Sequence, residues 1–192
     1  MGLDKGQCDQ AAIIISSTLL GFTISRGCPS PHWQTAPSTK PSLAARPTFT
    51  KLADCGKDVN TAKQNGCAFD LIMGQWVPQL CFDQALHDRY LENYGWPRFW
   101  DISLEVPAPE DVVYTGDYNG TFLPLEFHFH HCAYILQHLM RGYATGAPVL
   151  ESLWSYHHAE HCTLLLETQE FPGRNITFLR TDFASCVQPH IS

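Results

Sequence analysis

Two copies of a short motif, His-x-x-His-Cys, hold the residues of this chain that are best suited to chemistry. They are His128, His131 and Cys132 in the first copy, and His158, His161 and Cys162 in the second. Imidazole nitrogen and thiolate sulfur bind first-row transition metals, and two histidines three residues apart on a helix share one face. The doubled motif therefore predicts a metal site whose ligands and catalytic residues are the four histidines.

The placement of the two copies along the chain predicts how they meet. The first histidine of each copy and the second histidine of the other are equidistant from a midpoint between Ala144 and Thr145. Glycine and proline residues near this midpoint are typical of the end of one helix and the start of the next. In an antiparallel hairpin, residues equidistant from the turn lie side by side. We therefore predict antiparallel helices over residues 125–140 and 149–168, with the motif histidines facing each other.

The rest of the chain predicts a mainly α fold with irregular loops stapled by disulfides and few short strands. Residues 1–27 contain an apolar run, at positions 11–24, that is shorter than the ~20 residues of a membrane span. We interpret this region as a targeting segment or a degenerate anchor. Residues 28–51 are rich in proline, serine and threonine and are predicted to be a linker. The folded domain is predicted to cover residues 52–192.

Composition limits the classes of partner and the compartment. The net charge of −7 and the lack of any lysine or arginine cluster argue against nucleic acid as a partner. Eight cysteines are many for a cytosolic chain of 192 residues. Asn119 and Asn175 begin two N-glycosylation sequons. Together these features favour the lumen of the secretory pathway or secretion.

Four cysteines are candidates for disulfides that hold the loops. Cys67 and Cys81 are near enough in sequence to close a loop around Trp76 together. Alternatively, either of them pairs with Cys55 or Cys186, and the sequence does not choose between these pairings.

The two motif cysteines affect which metal is expected. Cys132 and Cys162 are either metal ligands or disulfide partners of each other. As thiolates they would favour zinc, whereas as a disulfide they would leave a site made of nitrogen alone. A histidine-rich site without carboxylates favours copper over iron, so copper is the predicted cofactor, with zinc and iron as alternatives.

The chain resembles the UstYa-like proteins, a family of oxidases from fungal secondary-metabolite clusters. Its two motifs, HFHHC and HHAEHC, are about 30 residues apart, as in that family's signature, and the similarity covers about residues 54 to 187. Further matching segments are Cys55-Gly56, Gly66-Cys67-x-Phe69-Asp70, Trp76-x-Pro78, Cys81-x-Asp83 and Ser185-Cys186.

The resemblance implies an enzyme of secondary-metabolite biosynthesis that uses copper and O₂. Such proteins tailor peptides or other small metabolites, for example by oxidative cyclisation or hydroxylation. The implied metal-binding positions are His128, His131, His158 and His161. The resemblance also implies a lumenal domain, commonly behind one N-terminal membrane helix. Single-pass attachment through the N-terminus and a homo- or hetero-oligomer with related oxidases are further expectations.

Two other functional classes are compatible with the same residues. The histidines are also suited to acid and base catalysis in a non-redox cyclase or epimerase. A secreted, non-catalytic module held closed by zinc or disulfides is the third interpretation.

Overall fold

The computed structural model describes residues 48–169 and 175–190, and it shows that the predicted fold class is wrong. These residues form five α-helices and eight strands in three small sheets, rather than a mainly helical fold dominated by one hairpin. In chain order the elements are β1 (Thr48–Asp54), α1 (Val59–Gln64), β2 (Cys67–Asp70), β3 (Gln75–Pro78), α2 (Gln84–Asn93), α3 (Glu110–Val113), β4 (Gly120–Pro124), α4 (Leu125–Thr145), β5 (Val149–Leu150), α5 (Tyr156–Thr168), β6 (Ile176–Arg180), β7 (Asp182–Phe183) and β8 (Ser185–His190).

The strands pair mostly with partners that are distant in sequence. β8 lies between β1 and β5 and is antiparallel to both, and its Cα partners in β1 run from Thr48 with His190 to Asp54 with Ser185. The second sheet has the order β2, β3, β7, and the third pairs β4 with β6. Several strands have only two to five residues, which is too short for an alternating pattern to stand out. This shortness explains why a fold with few strands was expected.

Helix α4 runs through the centre of the main core. It begins directly after Pro124, which lies at the end of β4, and it ends at Gly146 with a left-handed φ of 67°. Phe127, Tyr134 and Ile135 are among its buried residues. The helix is one turn longer than predicted, because glycine in the left-handed conformation stops it only after Thr145.

The helix predicted over residues 149–168 is wrong for about its first third, which is not α-helical. Val149 and Leu150 form β5 against β8, a 3₁₀ turn follows at Glu151–Leu153, and α5 begins only at Tyr156. The β-branched Val149 favours an extended chain, and β8 offers it a hydrogen-bonding edge. β5 also approaches α4 closely at Gly142. A β-carbon added to this glycine would lie only 2.4 Å from Cγ1 of Val149.

This later start changes which side of α5 is buried. Leu164, which the predicted hairpin would pack in its seam, is 53% exposed. Cys162 and Leu165 face the core instead. Ser155 caps the helix by accepting a hydrogen bond from the His158 amide at 3.4 Å.

The four cysteines predicted as disulfide candidates form two bonds. Cys55 bonds to Cys67, and Cys81 bonds to Cys186 across 105 residues. The alternative Cys67 to Cys81 pairing is therefore wrong. The bonds are compatible with an oxidising compartment.

A short turn between β2 and β3 is fixed by one buried carboxylate. Oδ1 of Asp70 accepts hydrogen bonds from the amides of Ile72 and Met73, both at 2.9 Å. Its Oδ2 accepts a hydrogen bond of 2.6 Å from the hydroxyl of Tyr134 in α4. The turn closes through Gly74, which has a φ of 67°. Asp70 thus joins the turn to the central helix.

The N-terminal predictions fall almost entirely outside the described residues. The targeting or anchor segment (1–27) and most of the linker (28–51) are among residues 1–47. The last four residues of the predicted linker, from Thr48, belong to β1. Among the helices of the described residues, none is both long enough and apolar enough to span a membrane.

We expect the two disulfides to contribute unequally to stability. A cross-link removes more unfolded-chain entropy when it closes a longer loop, so replacing both Cys81 and Cys186 by alanine should cost about 2 kcal/mol more than the same change at Cys55 and Cys67. Urea unfolding of the two double variants measures the difference. Equal losses, or a larger loss at the shorter loop, would contradict this ranking.

Candidate metal centre

The structure brings the two motif copies together at one place between α4 and α5. The first copy lies on the first two turns of α4, and the second copy lies on the first two turns of α5. The imidazoles of His128 and His161 are neighbours, with ring centroids 5.3 Å apart. Those of His131 and His158 are also neighbours, at 6.4 Å. All four histidines therefore lie in one place. We call these four histidines, together with Cys132 and Cys162, the histidine cluster.

A different geometry from the predicted one produces these pairs. The predicted hairpin had a tight turn with histidines equidistant from it along two helices. In the structure, about 20 Å of α4 separates His131 from the C-terminal end of that helix, whereas His158 is only two residues after the start of α5. The chain returns along α4 through β5 and the 3₁₀ turn, and α5 begins beside the histidines.

One side of the cluster holds the tightest group of metal-binding atoms. The Nε2 atoms of His128 and His161 lie 3.3 Å apart. A ligand atom from each of His128, Cys132 and His161 lies within 4.8 Å of the other two. Two imidazoles and a thiolate are a ligand set that both copper and zinc accept.

Main-chain carbonyls orient the imidazoles on the other side. Nδ1 of His131 donates a hydrogen bond of 2.7 Å to the Ile72 carbonyl. Nδ1 of His158 lies 3.4 Å from the Ser152 carbonyl oxygen. Because a carbonyl only accepts, the hydrogen of His131 is on Nδ1 and its Nε2 lone pair is available. A hydrogen bond of this kind commonly fixes the orientation of a metal-binding histidine.

The two motif cysteines are free, buried thiols rather than a disulfide. They hydrogen-bond to each other, which raises the pKa of Cys132 and lowers the pKa of Cys162 to about 5. Contact with His158 lowers the pKa of Cys162 further. The hydrogen bond to Cys162 is also the main cause of a raised His158 pKa. Because only the thiolate binds a metal, metal binding by Cys132 would release its proton.

Burial keeps two of the histidines neutral. It lowers the pKa of His128 to about 4, and the neighbouring His161 and His158 add to the shift. Burial also lowers the pKa of His131 to about 4, although the hydrogen bond to Ile72 opposes this shift. A histidine must be neutral to bind a metal, so both are ready ligands at neutral pH.

Two further histidines of α4 and the two predicted sequons lie outside the cluster. His130 packs against the rings of Tyr94 and Trp96, at 4.0 and 4.9 Å. His138 is buried, and its Nε2 lies 3.1 Å from the Cys81 carbonyl oxygen. The sequon residues Asn119 and Asn175 are both exposed.

The donor set fits a transition metal. Imidazoles from two helices and a thiol meet in a half-buried place, and main-chain carbonyls hold two of the rings. The sequence identified the side chains, but it did not identify Ile72 and Ser152 as the residues that orient them. A carbonyl group is common to every residue, so no sequence signal marks these two positions.

Lowered histidine pKa values predict that the metal-free protein loses stability as the pH falls. Between pH 6.5 and 4 the unfolded chain binds protons at His128 and His131 that the folded chain does not bind. Stability therefore rises with pH across this window, by on the order of 2 kcal/mol for each histidine. Urea unfolding in the presence of a chelator at a series of pH values measures it.

A matched pair of variants isolates this effect. His131→Gln should reduce the dependence on pH between 4 and 6.5 to roughly half, because only His128 of this pair still titrates. His157→Gln changes an exposed histidine of α5 and should leave the slope unchanged. The same slope in both variants would refute the assignment to His131.

Comparison with models of protein families, with curated proteins and with solved structures finds no match to this chain. The chemistry of the histidine cluster is therefore inferred from its own residues.

Proposed function

We propose that this protein is a copper-dependent oxidase of the UstYa-like kind, which tailors a small-molecule or peptide metabolite. The observation that supports it most strongly is the convergence of both motif copies, which places His128, Cys132 and His161 within 4.8 Å of one another. Two short sequence motifs in separate helices have no packing reason to meet through their polar atoms. Metal binding gives such a reason.

The ligand types favour copper among the redox metals. Two imidazoles with one thiolate are the ligands of copper electron-transfer sites, whereas non-haem iron oxygenases use two histidines and a carboxylate. Within the described residues, the group of converging ligands contains no aspartate or glutamate. When bound, copper would supply one-electron oxidation and reduction with O₂ as the oxidant.

The protein's own residues orient the ligands and hold a proton nearby. The Ile72 carbonyl fixes the ring of His131, with Nε2 left as an acceptor. His158, whose pKa is raised by its hydrogen bond to Cys162, is the group beside the ligands that can hold a proton after Cys132 has released its own. Half-burial of the histidines limits access of water and keeps the rings neutral.

The setting that we propose for this enzyme is the secretory pathway lumen or the cell exterior. The two disulfides and the exposed Asn119 and Asn175 support that location. The substrate would be a metabolite of the same biosynthetic cluster, and related oxidases are candidate partners.

A structural zinc site is the second candidate function. It is favoured by the free state of Cys132 and Cys162, because thiolate and imidazole ligands together are typical of zinc sites that hold a fold closed. Such a metal supplies folding free energy directly, so its removal would unfold the segment around α5.

Metal content distinguishes the two candidates. We expect the protein, purified with its disulfides intact and loaded with a limiting mixture of copper and zinc, to retain copper. Copper bound to the Cys132 thiolate should also give an intense visible absorption band, and Cys132→Ser should remove that band. Mass spectrometry of the metal and absorption spectroscopy measure these outcomes. Retention of one zinc and no copper would favour the structural site.

Loss of one ligand should abolish oxidation without unfolding the protein. His128→Ala and His161→Ala each remove a member of the tightest group, so metal content and O₂ consumption with substrate should fall at least about 100-fold. Circular dichroism should change little, because the disulfides and the core remain.

His157→Ala is the matched control, since it removes an exposed imidazole from the same helix. It should keep full metal content and activity. Full activity in His161→Ala would refute the proposed oxidase, and unfolding of that variant on loss of metal would support the zinc site instead.

A further inference from the structure

A cleft of about 470 Å³ lies between the loop after α2 and helix α3, and none of the histidine cluster lines it. This volume is in the range of small-molecule sites, which is about 300 to 1,000 Å³. We call it the Arg98 cleft. The lining residues that matter below are Leu71, Tyr94, Trp96, Arg98 and Glu110.

Arg98 is a buried charge without an ionic partner among the described residues. Its side chain is only 8% exposed. Nη2 donates a 2.6 Å hydrogen bond to the Leu71 carbonyl, and Nη1 donates one of 3.2 Å to the Thr121 hydroxyl. No carboxylate of the described residues forms an ion pair with it. A guanidinium has five N–H donors and remains charged in proteins, so most of its donors are left for another group.

The buried carboxylate of Asp70 interacts with this charge through space but forms no ion pair with it. Asp70 uses Oδ1 to accept from the amides of Ile72 and Met73 and uses Oδ2 to accept from Tyr134. Burial also raises the pKa of Asp70, which disfavours its charged form. Burial of a charge without a paired counter-charge is unfavourable, and an anion in the cleft would offset this cost.

The wall beside Arg98 is aromatic and rigid. The rings of Tyr94 and Trp96 are stacked at 5.2 Å with an angle of 22° between them. Phe127 packs edge-on against Trp96 from the side of α4, also at 5.2 Å. Flat apolar ligands stack well on such surfaces. The exposed Glu110 on the same cleft would repel a ligand with several negative charges.

We propose that the Arg98 cleft binds a small monoanion that carries one carboxylate and a flat apolar ring. The carboxylate would pair with Arg98 through two N–H groups, and the ring would lie against Trp96 and Tyr94. The proposal concerns binding alone. It requires neither a metal in the histidine cluster nor an oxidase activity.

Binding of phenylacetate and of its neutral isostere, phenylacetamide, tests the charge. Isothermal titration of the full chain, kept metal-free with a chelator, should give at least about tenfold tighter binding for phenylacetate, because a hydrogen bond between two charged groups is stronger than one to a neutral amide. Equal affinities for phenylacetate and phenylacetamide would overturn the proposal. So would the absence of phenylacetate binding at about 10 mM.

Three variants locate the binding site. Arg98→Gln, if its circular dichroism matches the unaltered protein, should weaken phenylacetate binding at least about tenfold and leave phenylacetamide unaffected. Glu110 is exposed, so Glu110→Gln should not disturb the fold. It should strengthen phenylacetate binding a few-fold, since it removes a negative charge that repels the ligand carboxylate. Arg180→Gln is the matched control, because Arg180 is exposed and does not line the cleft.

The outcomes remain decisive if Arg98→Gln does not fold. In that case, tighter phenylacetate binding by Glu110→Gln with no change in Arg180→Gln supports the site. Weaker binding by Glu110→Gln, or a loss of binding in Arg180→Gln, would place the ligand elsewhere and overturn the proposal.

Discussion

The buried carboxylate of Asp70 is the interaction on which both candidate sites depend. It fixes the turn between β2 and β3 and anchors that turn to Tyr134 of α4. Two adjacent carbonyls of the turn then face different sites. The Ile72 carbonyl orients His131 in the histidine cluster, and the Leu71 carbonyl holds Arg98 at the cleft. One turn thus sets the position of a metal ligand and of a buried cation, and loss of the Asp70 side chain would displace both.

Much of the histidine cluster was accessible from the sequence, because its signal is local. Two copies of a motif with the right residue types indicated the four histidines, and the structure brings their side chains together. The doubled motif also directed attention to Cys132 and Cys162, which the structure leaves as free thiols. Local caps also begin two short helices, since the side chain of Asp58 accepts from the Thr61 amide in α1 and that of Asp83 accepts from the Leu86 amide in α2. In each case neighbouring residues carry the information.

The fold class was wrong because its determinants are not local. β5 has two residues, and it exists because β8, about 35 residues later, provides a partner. The segment before α5 was therefore expected to be helical. Arg98 was similarly hidden, because a single arginine among aromatic residues gives no sign that it lacks a carboxylate partner. The disulfide pairing was also open, because the sequence does not choose among the candidate cysteines, and the partner of Cys81 is Cys186 of β8, 105 residues away.

The central position of β8 in its sheet has a consequence for how the chain folds during its own synthesis. This strand is the last described element of the chain, yet it pairs with both β1 and β5, and its Cys186 is joined to Cys81 beneath α4. A chain emerging from the ribosome can close the Cys55 to Cys67 loop early, but it cannot complete the main core until β8 is outside. In an oxidising compartment, the free thiols of α4 and α5 would be open to wrong disulfide partners until β8 is in place. Correct pairing would depend on a thiol–disulfide isomerase, or on early metal binding that masks Cys132 and Cys162.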